Sequence, residues 1–251
     1  MDSIQFIFLG ILQGLFEWLP ISSQGQIMGI ATGFMNIEPQ TALQYAILLH
    51  MGTLLSAIVY FRKEIMELLH NITGEKTRFL IIAVLATLLT GVPLYFGLKS
   101  MAISTGILLL AIAGMLFATG FIQTKAKTKN KPVLSTKNAV VVGLLQGLSI
   151  IPGISRSGIT TSALLFRGFS PEEAFKISFL LSIPTVLVAE IGLGILEGFQ
   201  LEWNALLAIL ASFIVGLATI DGLIKLAKKI SFSLFCYGLG ILYLILGLLY
   251  L

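Results

Sequence analysis

Two long apolar stretches are each interrupted near the middle by proline, serine and glycine, and this pattern restricts the fold more than any other feature. Residues 4–35 are broken by LPISSQG at 19–25, and residues 138–168 by IPGISRSG at 151–158. Six further stretches stay apolar over about 20 residues, the length that crosses a bilayer as a helix. They lie at 41–61, 79–98, 103–122, 173–195, 204–224 and 233–251.

The composition agrees with an integral membrane protein. Of the 251 residues, 57% are hydrophobic and only 11% are charged, whereas roughly 25% are charged in an ordinary soluble domain. So few charged side chains would not cover the surface of a soluble protein of this size. A soluble enzyme, a disordered chain and a nucleic-acid partner are therefore excluded, although the net charge is +4. We predict a single, all-α integral membrane domain over residues 1–251.

The two broken stretches need a special place in this fold. A polar, proline-containing break at membrane depth is tolerated only where protein buries it or where it lines a wet cavity. We interpret each stretch as a re-entrant helix pair, which enters and leaves the membrane on the same side. A kinked span is the alternative for each. The expected fold thus has six transmembrane helices plus two re-entrant helix pairs.

The distribution of positive residues predicts the orientation, because Lys and Arg are enriched in cytoplasmic connections. They cluster at 62–78, 125–137 and 225–229. These three connections fall on one side if both broken stretches are re-entrant, which favours re-entrance over kinked spans. We therefore expect a multi-pass protein of the plasma membrane, surrounded by membrane lipids, with both termini outside. The sequence leaves a homo-oligomer open.

The chain contains an internal repeat. Matching features recur at an offset of 132 to 133 residues: LQGL at 12–15 and 145–148, Ser22 and Ser155, Gly25 and Gly158, EPQTA at 38–42 and SPEEA at 170–174. We place repeat one at about 1–122, a basic cytoplasmic linker at about 123–137 and repeat two at about 138–251. Because each repeat has an odd number of crossings, the two are inverted, and both breaks should meet near the membrane midplane.

Charged residues inside the membrane mark a candidate site. Glu17 and Arg156 each lie in a broken stretch, and a charge at that depth costs roughly 2.5–3.5 kcal/mol on insertion scales. One hypothesis is that they form a functional site where the breaks meet. The alternative is a buried ion pair that only locks the repeats together.

The residues around the breaks predict an anion site. The first turn of a half-helix presents free N–H groups and a positive dipole end, and arginine binds phosphate through two parallel hydrogen bonds. The predicted phosphate-binding residues are Ser22, Ser155, Arg156, Ser157, Thr160 and Gln26. A carboxylate beside a phosphate needs a cation or a proton, so Glu17 predicts Mg²⁺ or Ca²⁺, general acid–base chemistry, or both. Gln13, one turn earlier, is a further candidate metal ligand.

Two other polar residues lie within or near predicted spans. His50 either faces the site as a catalytic residue or packs between helices. Glu190 lies near the outer end of a span, where its side chain either reaches the interface or takes part in the site.

These motifs resemble the undecaprenyl-pyrophosphate phosphatase family, of the bacitracin-resistance type, over nearly the whole chain. The first family motif, Glu or Gln followed four residues later by Glu, appears as Gln13 and Glu17 and continues into WLPISS. The second motif, P-G-x-S-R-S-x-x-T, is complete from Pro152 to Thr160. The string HMGTLL at 50–55 is also similar to the family. The second motif is specific, so the resemblance is not a chance match.

The resemblance implies a fold with re-entrant helices and inverted repeats. It also implies a substrate, a long polyprenyl diphosphate that is hydrolysed to the monophosphate and inorganic phosphate with a divalent cation. This reaction recycles a lipid carrier for cell-envelope glycan synthesis. By this likeness the protein is a hydrolase acting on a phosphoric anhydride.

One departure from the family pattern affects the mechanism. Many members read S-S-x-G-H with a catalytic His, whereas this chain has Gln26 in that place. The expected catalytic residues are then Glu17, Ser23, Arg156 and His50, and either Ser23 or a water molecule attacks the phosphorus. Because a midplane anion site is also typical of transporters, a polyprenyl-phosphate carrier is the alternative function. A catalytically inactive scaffold is a third hypothesis.

Overall fold

The computed structural model describes residues 3–99, 104–125, 134–197, 203–229 and 232–251. All regular elements of these residues are helices. The α-helices are α1 Ser3–Phe16, α2 Ser23–Gly33, α3 Pro39–Tyr60, α4 Arg62–His70, α5 Glu75–Lys99, α6 Thr105–Lys125, α7 Thr136–Gly147, α8 Arg156–Phe166, α9 Pro171–Glu197, α10 Trp203–Lys229 and α11 Ser233–Leu249, and a 3₁₀ turn spans Leu148–Ile150. The all-α prediction is confirmed for this part of the chain.

Five of the described helices are long and apolar enough to cross a membrane by length and composition: α3, α5, α6, α9 and α10. These match five of the six predicted spans to within a few residues. The remaining predicted span, 233–251, corresponds to α11, which is apolar but has only 17 residues. A multi-pass membrane protein is therefore supported, and the sixth span stays a prediction.

Both predicted breaks are present, and each ends at a serine N-cap. The Ser22 hydroxyl oxygen accepts the Gly25 N–H at 3.3 Å, and the Ser155 oxygen accepts the Gly158 N–H at 3.1 Å. Such a cap satisfies one of the free N–H groups in the first turn of a helix. The matched serines of the repeat therefore start matched half-helices, α2 and α8.

The first helix of each broken stretch, α1 or α7, packs against the opposite half of the chain. α1 lies along α10, and its counterpart α7 lies along α5. A Cβ atom on Gly10 would lie 2.2 Å from the Ala208 carbonyl oxygen, and one on Gly143, 133 residues later, would lie 2.2 Å from the Ala83 carbonyl oxygen. In each helix a second glycine follows four residues later. Small residues at this spacing let membrane helices approach closely, so both helix contacts depend on a pair of glycines four residues apart.

Trp18 holds the C-terminal end of α1 in the interior. Its side chain is 1% exposed, its ring lies 5.6 Å from that of Phe179, and its N–H donates to the Gly216 carbonyl oxygen at 3.0 Å. A buried indole with a satisfied N–H is a rigid anchor. The neighbouring residue, Glu17, is thereby fixed between the two halves.

Candidate functional site

A cavity of about 130 Å³ lies where the two breaks meet, and both halves of the chain line it. Its ionisable and nucleophilic lining includes Glu17 and Ser23 from the first break, Arg156 from the second, His50 from α3 and Glu190 from α9. This volume accommodates several water molecules or a small anion. The predicted convergence of the two broken stretches is therefore present, at a polar cavity in an apolar protein.

Glu17 is the centre of the site and is only 7% exposed. Its Oε2 accepts the Gln13 amide N–H at 3.0 Å and the Ser23 hydroxyl at 2.7 Å. Its Oε1 accepts a hydrogen bond from Nη2 of Arg156. The buried Glu17–Arg156 ion pair that the sequence suggested is thus formed, but it is one contact of a larger polar network.

The Arg156 guanidinium is fixed on three sides. Besides the bond to Glu17, its Nη1 donates to the Ser178 carbonyl oxygen at 3.4 Å, and its Cζ lies 5.4 Å from the centre of the Phe179 ring. Arginine has five N–H donors, and these contacts use only two of them. The others are available to a phosphate group in the cavity, which the lining position of Arg156 allows.

His50 belongs to the same network. Its Nδ1 lies 2.6 Å from the Ala46 carbonyl oxygen, which can only accept, so Nδ1 carries the hydrogen of that bond. Its Nε2 lies 3.2 Å from Oε2 of Glu17. A hydrogen bond between these two atoms needs a proton on one of them. His50 and Glu17 can therefore share a proton, which places His50 in the site rather than in a purely packing role.

Ser23 and Arg156 occupy equivalent positions of the two repeats, 133 residues apart. Each is the first residue of its half-helix. Their side chains reach opposite oxygens of the Glu17 carboxylate. The repeat thus places a hydroxyl and a guanidinium symmetrically about one acidic residue.

The predicted phosphate-binding serines are partly used by the protein. The Ser22 oxygen accepts the N–H groups of Gly25 and of Gly153, the latter at 3.2 Å, and so joins the two breaks. Ser155 caps α8, and its oxygen lies 3.2 Å from that of Ser157. All three serines line the cavity, yet Ser22 and Ser155 primarily hold the turns in shape.

Thr160 and Gln26 do not line the cavity. Thr160 is fully buried and donates to the Arg156 carbonyl oxygen at 2.7 Å. The Gln26 amide donates to the Ile21 carbonyl oxygen at 3.0 Å and accepts the Tyr243 hydroxyl at 3.1 Å. Thr160 thus supports the residue that carries the guanidinium, and Gln26 connects the first break to α11.

Backbone N–H groups add to the anion site. The serine caps take the N–H of the third residue of each half-helix. Within the described residues, the N–H groups of the first two residues have no hydrogen-bond partner: Ser23 and Gln24 in α2, Arg156 and Ser157 in α8. Free N–H groups and the positive end of a helix dipole favour a phosphate at this place.

Glu190 lines the cavity but was not among the predicted site residues. The alternative in which it reaches the interface is wrong, because its side chain is 5% exposed and lines the cavity. Its Oε2 has no hydrogen-bond partner within the part of the chain that the structure describes. Ser178, Ser182 and Thr185 mark a polar face of the same helix. That spacing continues to Ala189 rather than to Glu190, so it did not predict that Glu190 lines the cavity.

The fit of a divalent cation can be judged from the oxygen atoms around the cavity. Both Glu17 oxygens already have protein partners. Gln13 is fully buried and does not line the cavity, although its Oε1 has no partner among the described residues. The Glu190 Oε2 has no partner and does belong to the cavity lining. A hard cation prefers carboxylate oxygens of this kind, so the lining offers it one protein ligand, although the described residues gather no group of three or more His, Cys, Asp or Glu side chains for a metal.

Comparison with known proteins identifies the relatives of the chain. Residues 6–247 match the family model described as bacitracin resistance protein BacA. A relative named undecaprenyl-diphosphatase from Methanococcoides burtonii is 42% identical, covering 94% of this chain and 95% of its own. Proteins of the same name from Methanothrix thermoacetophila and Haloarcula marismortui are 40% and 36% identical, each over at least 96% of both chains.

Proposed function

The chain belongs to the family of the bacitracin resistance protein BacA, and from this we infer that it hydrolyses undecaprenyl diphosphate to the monophosphate and inorganic phosphate. It is a membrane phosphatase that acts on a phosphoric anhydride. One structural observation carries the chemistry. Ser23 and Arg156, brought from opposite halves of the chain, both bind the Glu17 carboxylate at a polar cavity.

We propose that Ser23 is the nucleophile and Glu17 its base. The Ser23 hydroxyl already donates to Glu17 at 2.7 Å, which is the arrangement of an activated nucleophile. As the Ser23 oxygen bonds to the terminal phosphorus, its proton passes to Glu17, and the bridging P–O bond breaks to release the lipid monophosphate. Water then hydrolyses the phosphoserine. A water molecule in the same cavity, attacking directly, is the alternative to Ser23.

His50 completes the proton path in this proposal. Because its Nε2 lies 3.2 Å from Glu17, a proton taken by Glu17 can pass to the imidazole and return in the second step. Proton transfer by positioned side chains contributes roughly 10²–10⁴-fold to a rate. No residue at position 26 is needed for this path, since Gln26 lies outside the cavity lining.

Arg156 and the four free N–H groups of α2 and α8 bind the diphosphate. These donors are held in place before the substrate arrives, by the serine caps and by the contacts of Arg156 with Ser178 and Phe179. Fixed donors in a site of low dielectric stabilise the charge that develops on phosphate oxygens in the transition state. A divalent cation, Mg²⁺ or Ca²⁺, supplies further charge neutralisation when bound. The apolar tail of the substrate lies between helices or in the lipid.

The membrane arrangement that we propose has six spans, with α11 as the sixth, and two re-entrant pairs, α1 with α2 and α7 with α8. The exchanged packing of α1 on α10 and α7 on α5 supports two inverted repeats. Together with the basic connections, this arrangement has both termini outside the plasma membrane. A carrier without hydrolysis is not favoured, since the relatives are named as diphosphatases and a carrier has no use for an activated serine.

The direct test of function is phosphate release from undecaprenyl diphosphate by the purified protein, with and without Mg²⁺ or Ca²⁺. We expect release that depends on the cation. Brief incubation with substrate labelled in the terminal phosphate, followed by acid quench, should leave label on Ser23. If the label appears in inorganic phosphate and no labelled phosphoserine is trapped, the attack is assigned to water. No release under any condition, with transport of a polyprenyl phosphate across vesicles, would contradict the enzyme.

The orientation is tested by cysteine labelling in intact cells. The native Cys236 is fully buried, so engineered cysteines report alone. Glu38→Cys and Glu67→Cys are a matched pair, because both glutamates are exposed and the proposal puts them on opposite sides. A membrane-impermeant maleimide should label position 38 only. Labelling of position 67 from outside would reject the orientation.

A further inference from the structure

Glu190 is a buried carboxylate that the proposed chemistry leaves without a role. It is 5% exposed, it lines the cavity that holds Glu17 and Arg156, and its Oε2 has no partner within the described residues. We propose that Glu190 is the protein ligand of the divalent cation and holds it against the diphosphate on the α9 side of the cavity. This inference rests on the proposed function.

The charges around the cavity explain why a cation belongs at Glu190 rather than at Glu17. Glu17 lies between the Arg156 guanidinium and the His50 ring, and its two oxygens already accept hydrogen bonds. A divalent cation there would have to displace a donor and approach a guanidinium. The Oε2 atom of Glu190, by contrast, has no hydrogen-bond partner within the described chain, although the His50 ring also acts on this carboxyl through space.

An unpaired carboxylate would repel the diphosphate in the absence of a cation. An ionised Glu190 and the substrate phosphates, which face the same cavity, repel each other unless a positive charge lies between them. Mg²⁺ commonly binds in this way, through one or two carboxylates plus the phosphates of its substrate, and keeps several water molecules. One protein carboxylate is therefore sufficient.

Two neighbouring side chains on α9 also favour a cation on this side of the cavity. Thr185 and Ser182 line it together with Glu190. Their hydroxyl hydrogens are donated within the helix, to Leu181 at 2.8 Å and to Phe179 at 2.7 Å. The Ser182 oxygen therefore has lone pairs for the water shell of a cation, whereas the Thr185 oxygen also accepts the Gln146 amide N–H at 2.8 Å and keeps one.

The test measures cation binding directly. Mn²⁺ prefers the same oxygen ligands as Mg²⁺ and Ca²⁺, and its paramagnetic resonance signal decreases on binding. The purified protein is titrated with Mn²⁺ in the presence of methylenediphosphonate, which is not hydrolysed. We expect Glu190→Gln to raise the Mn²⁺ Kd by at least about tenfold, the lower limit even for residues that act through a ligand.

Three further variants are titrated for comparison with Glu190→Gln. Glu67→Gln removes an exposed carboxylate on α4 and should leave the Mn²⁺ Kd unchanged. Gln13→Ala should also leave it unchanged, which separates Glu190 from the other unpartnered oxygen. Glu190→Asp keeps the carboxylate one methylene further back and should give an intermediate Kd. It also provides an independent result if Glu190→Gln does not fold, as judged by monodispersity and helical circular dichroism.

The outcomes separate this inference from the proposed function. An unchanged Mn²⁺ Kd in Glu190→Gln, or a tenfold rise in Gln13→Ala instead, would overturn the role of Glu190 even if the protein releases phosphate. Absence of Mn²⁺ binding to the wild type would also overturn it. Conversely, the protein could bind Mn²⁺ through Glu190 and yet release no phosphate. That result would support the cation site and contradict the phosphatase function.

Discussion

The two breaks are copies of one turn, and they carry opposite charges. In the first, the acidic Glu17 directly follows the end of α1, and α2 begins with Ser23. In the second, the apolar Ile150 stands in the place of Glu17, and Arg156 stands in the place of Ser23. Both repeats therefore keep the capped turn, but their functional side chains differ. The base and the hydroxyl lie in the first half, and the phosphate-binding arginine lies in the second.

The two turns also differ in which residue has a positive φ. Ser22 has a φ of 63° and a capping side chain, whereas its counterpart Ser155 is extended and the positive φ, 98°, falls on Gly153. A positive φ is easy for glycine and costly for serine. The Ser22 oxygen also binds the Gly153 N–H. The first turn thus adopts the costlier backbone conformation, and its Ser22 side chain also holds the second turn.

The largest effect should come from Glu17→Gln, which removes the acidic member of the asymmetric pair while keeping its size. Phosphate release should fall by roughly 10²–10⁴-fold, because the proton acceptor for Ser23 is lost, and binding of methylenediphosphonate should remain. Glu38→Gln, an exposed carboxylate, should keep full activity. Near-normal release in Glu17→Gln would mean that the two breaks do not divide the chemistry as described.

The next effect concerns the basic member. Arg156→Lys keeps the charge but loses the planar fork of N–H donors, and we expect phosphate release to fall by roughly 10²-fold, similar to the loss of a transition-state donor. Arg167→Lys is the matched control, because Arg167 lies at the other end of α8 and donates to the Asn138 side chain at 3.0 Å. Equal phosphate release by the two variants would show that Arg156 contributes only its positive charge.

A smaller effect should separate the two caps. Ser155→Ala removes one cap, worth about 1 kcal/mol of unfolding free energy. Ser22→Ala also leaves the buried Gly153 N–H without its partner, which adds about 1–3 kcal/mol. Denaturant unfolding in detergent, followed by circular dichroism, measures both. Equal losses would show that the first turn does not hold the second.

The smallest effect on turnover should come from Gln26→His, which installs the residue that the family motif usually has. The equivalent position of the second repeat is Ile159, which is buried and apolar, and Gln26 itself does not line the cavity. We expect phosphate release close to that of the wild type, with a loss of about 1 kcal/mol of stability from one weakened hydrogen bond. A large rise in phosphate release would place position 26 in the reaction.

The matched features of the sequence located both turns and most of the site. Gln13, Ser22 and Ser155 were identified because their spacing recurs, and the two serines cap equivalent half-helices. Glu17, which has no acidic counterpart, was identified as a charge inside the membrane. Spacing within a repeat reveals only what both halves share. His50 and Glu190 have no ionisable counterpart at the repeat offset, so their approach to the cavity could not be found in this way.

The sequence by itself determined the helical class, the positions of the breaks and the serine caps, because apolar length, proline and capping side chains act within a few residues along the chain. Only the tertiary structure decided which polar side chains face one another. The packing of α1 on α10 and of α7 on α5 joins residues more than 50 positions apart. Glu190 therefore faces a cavity rather than the interface, because the helices packed around α9 set its direction.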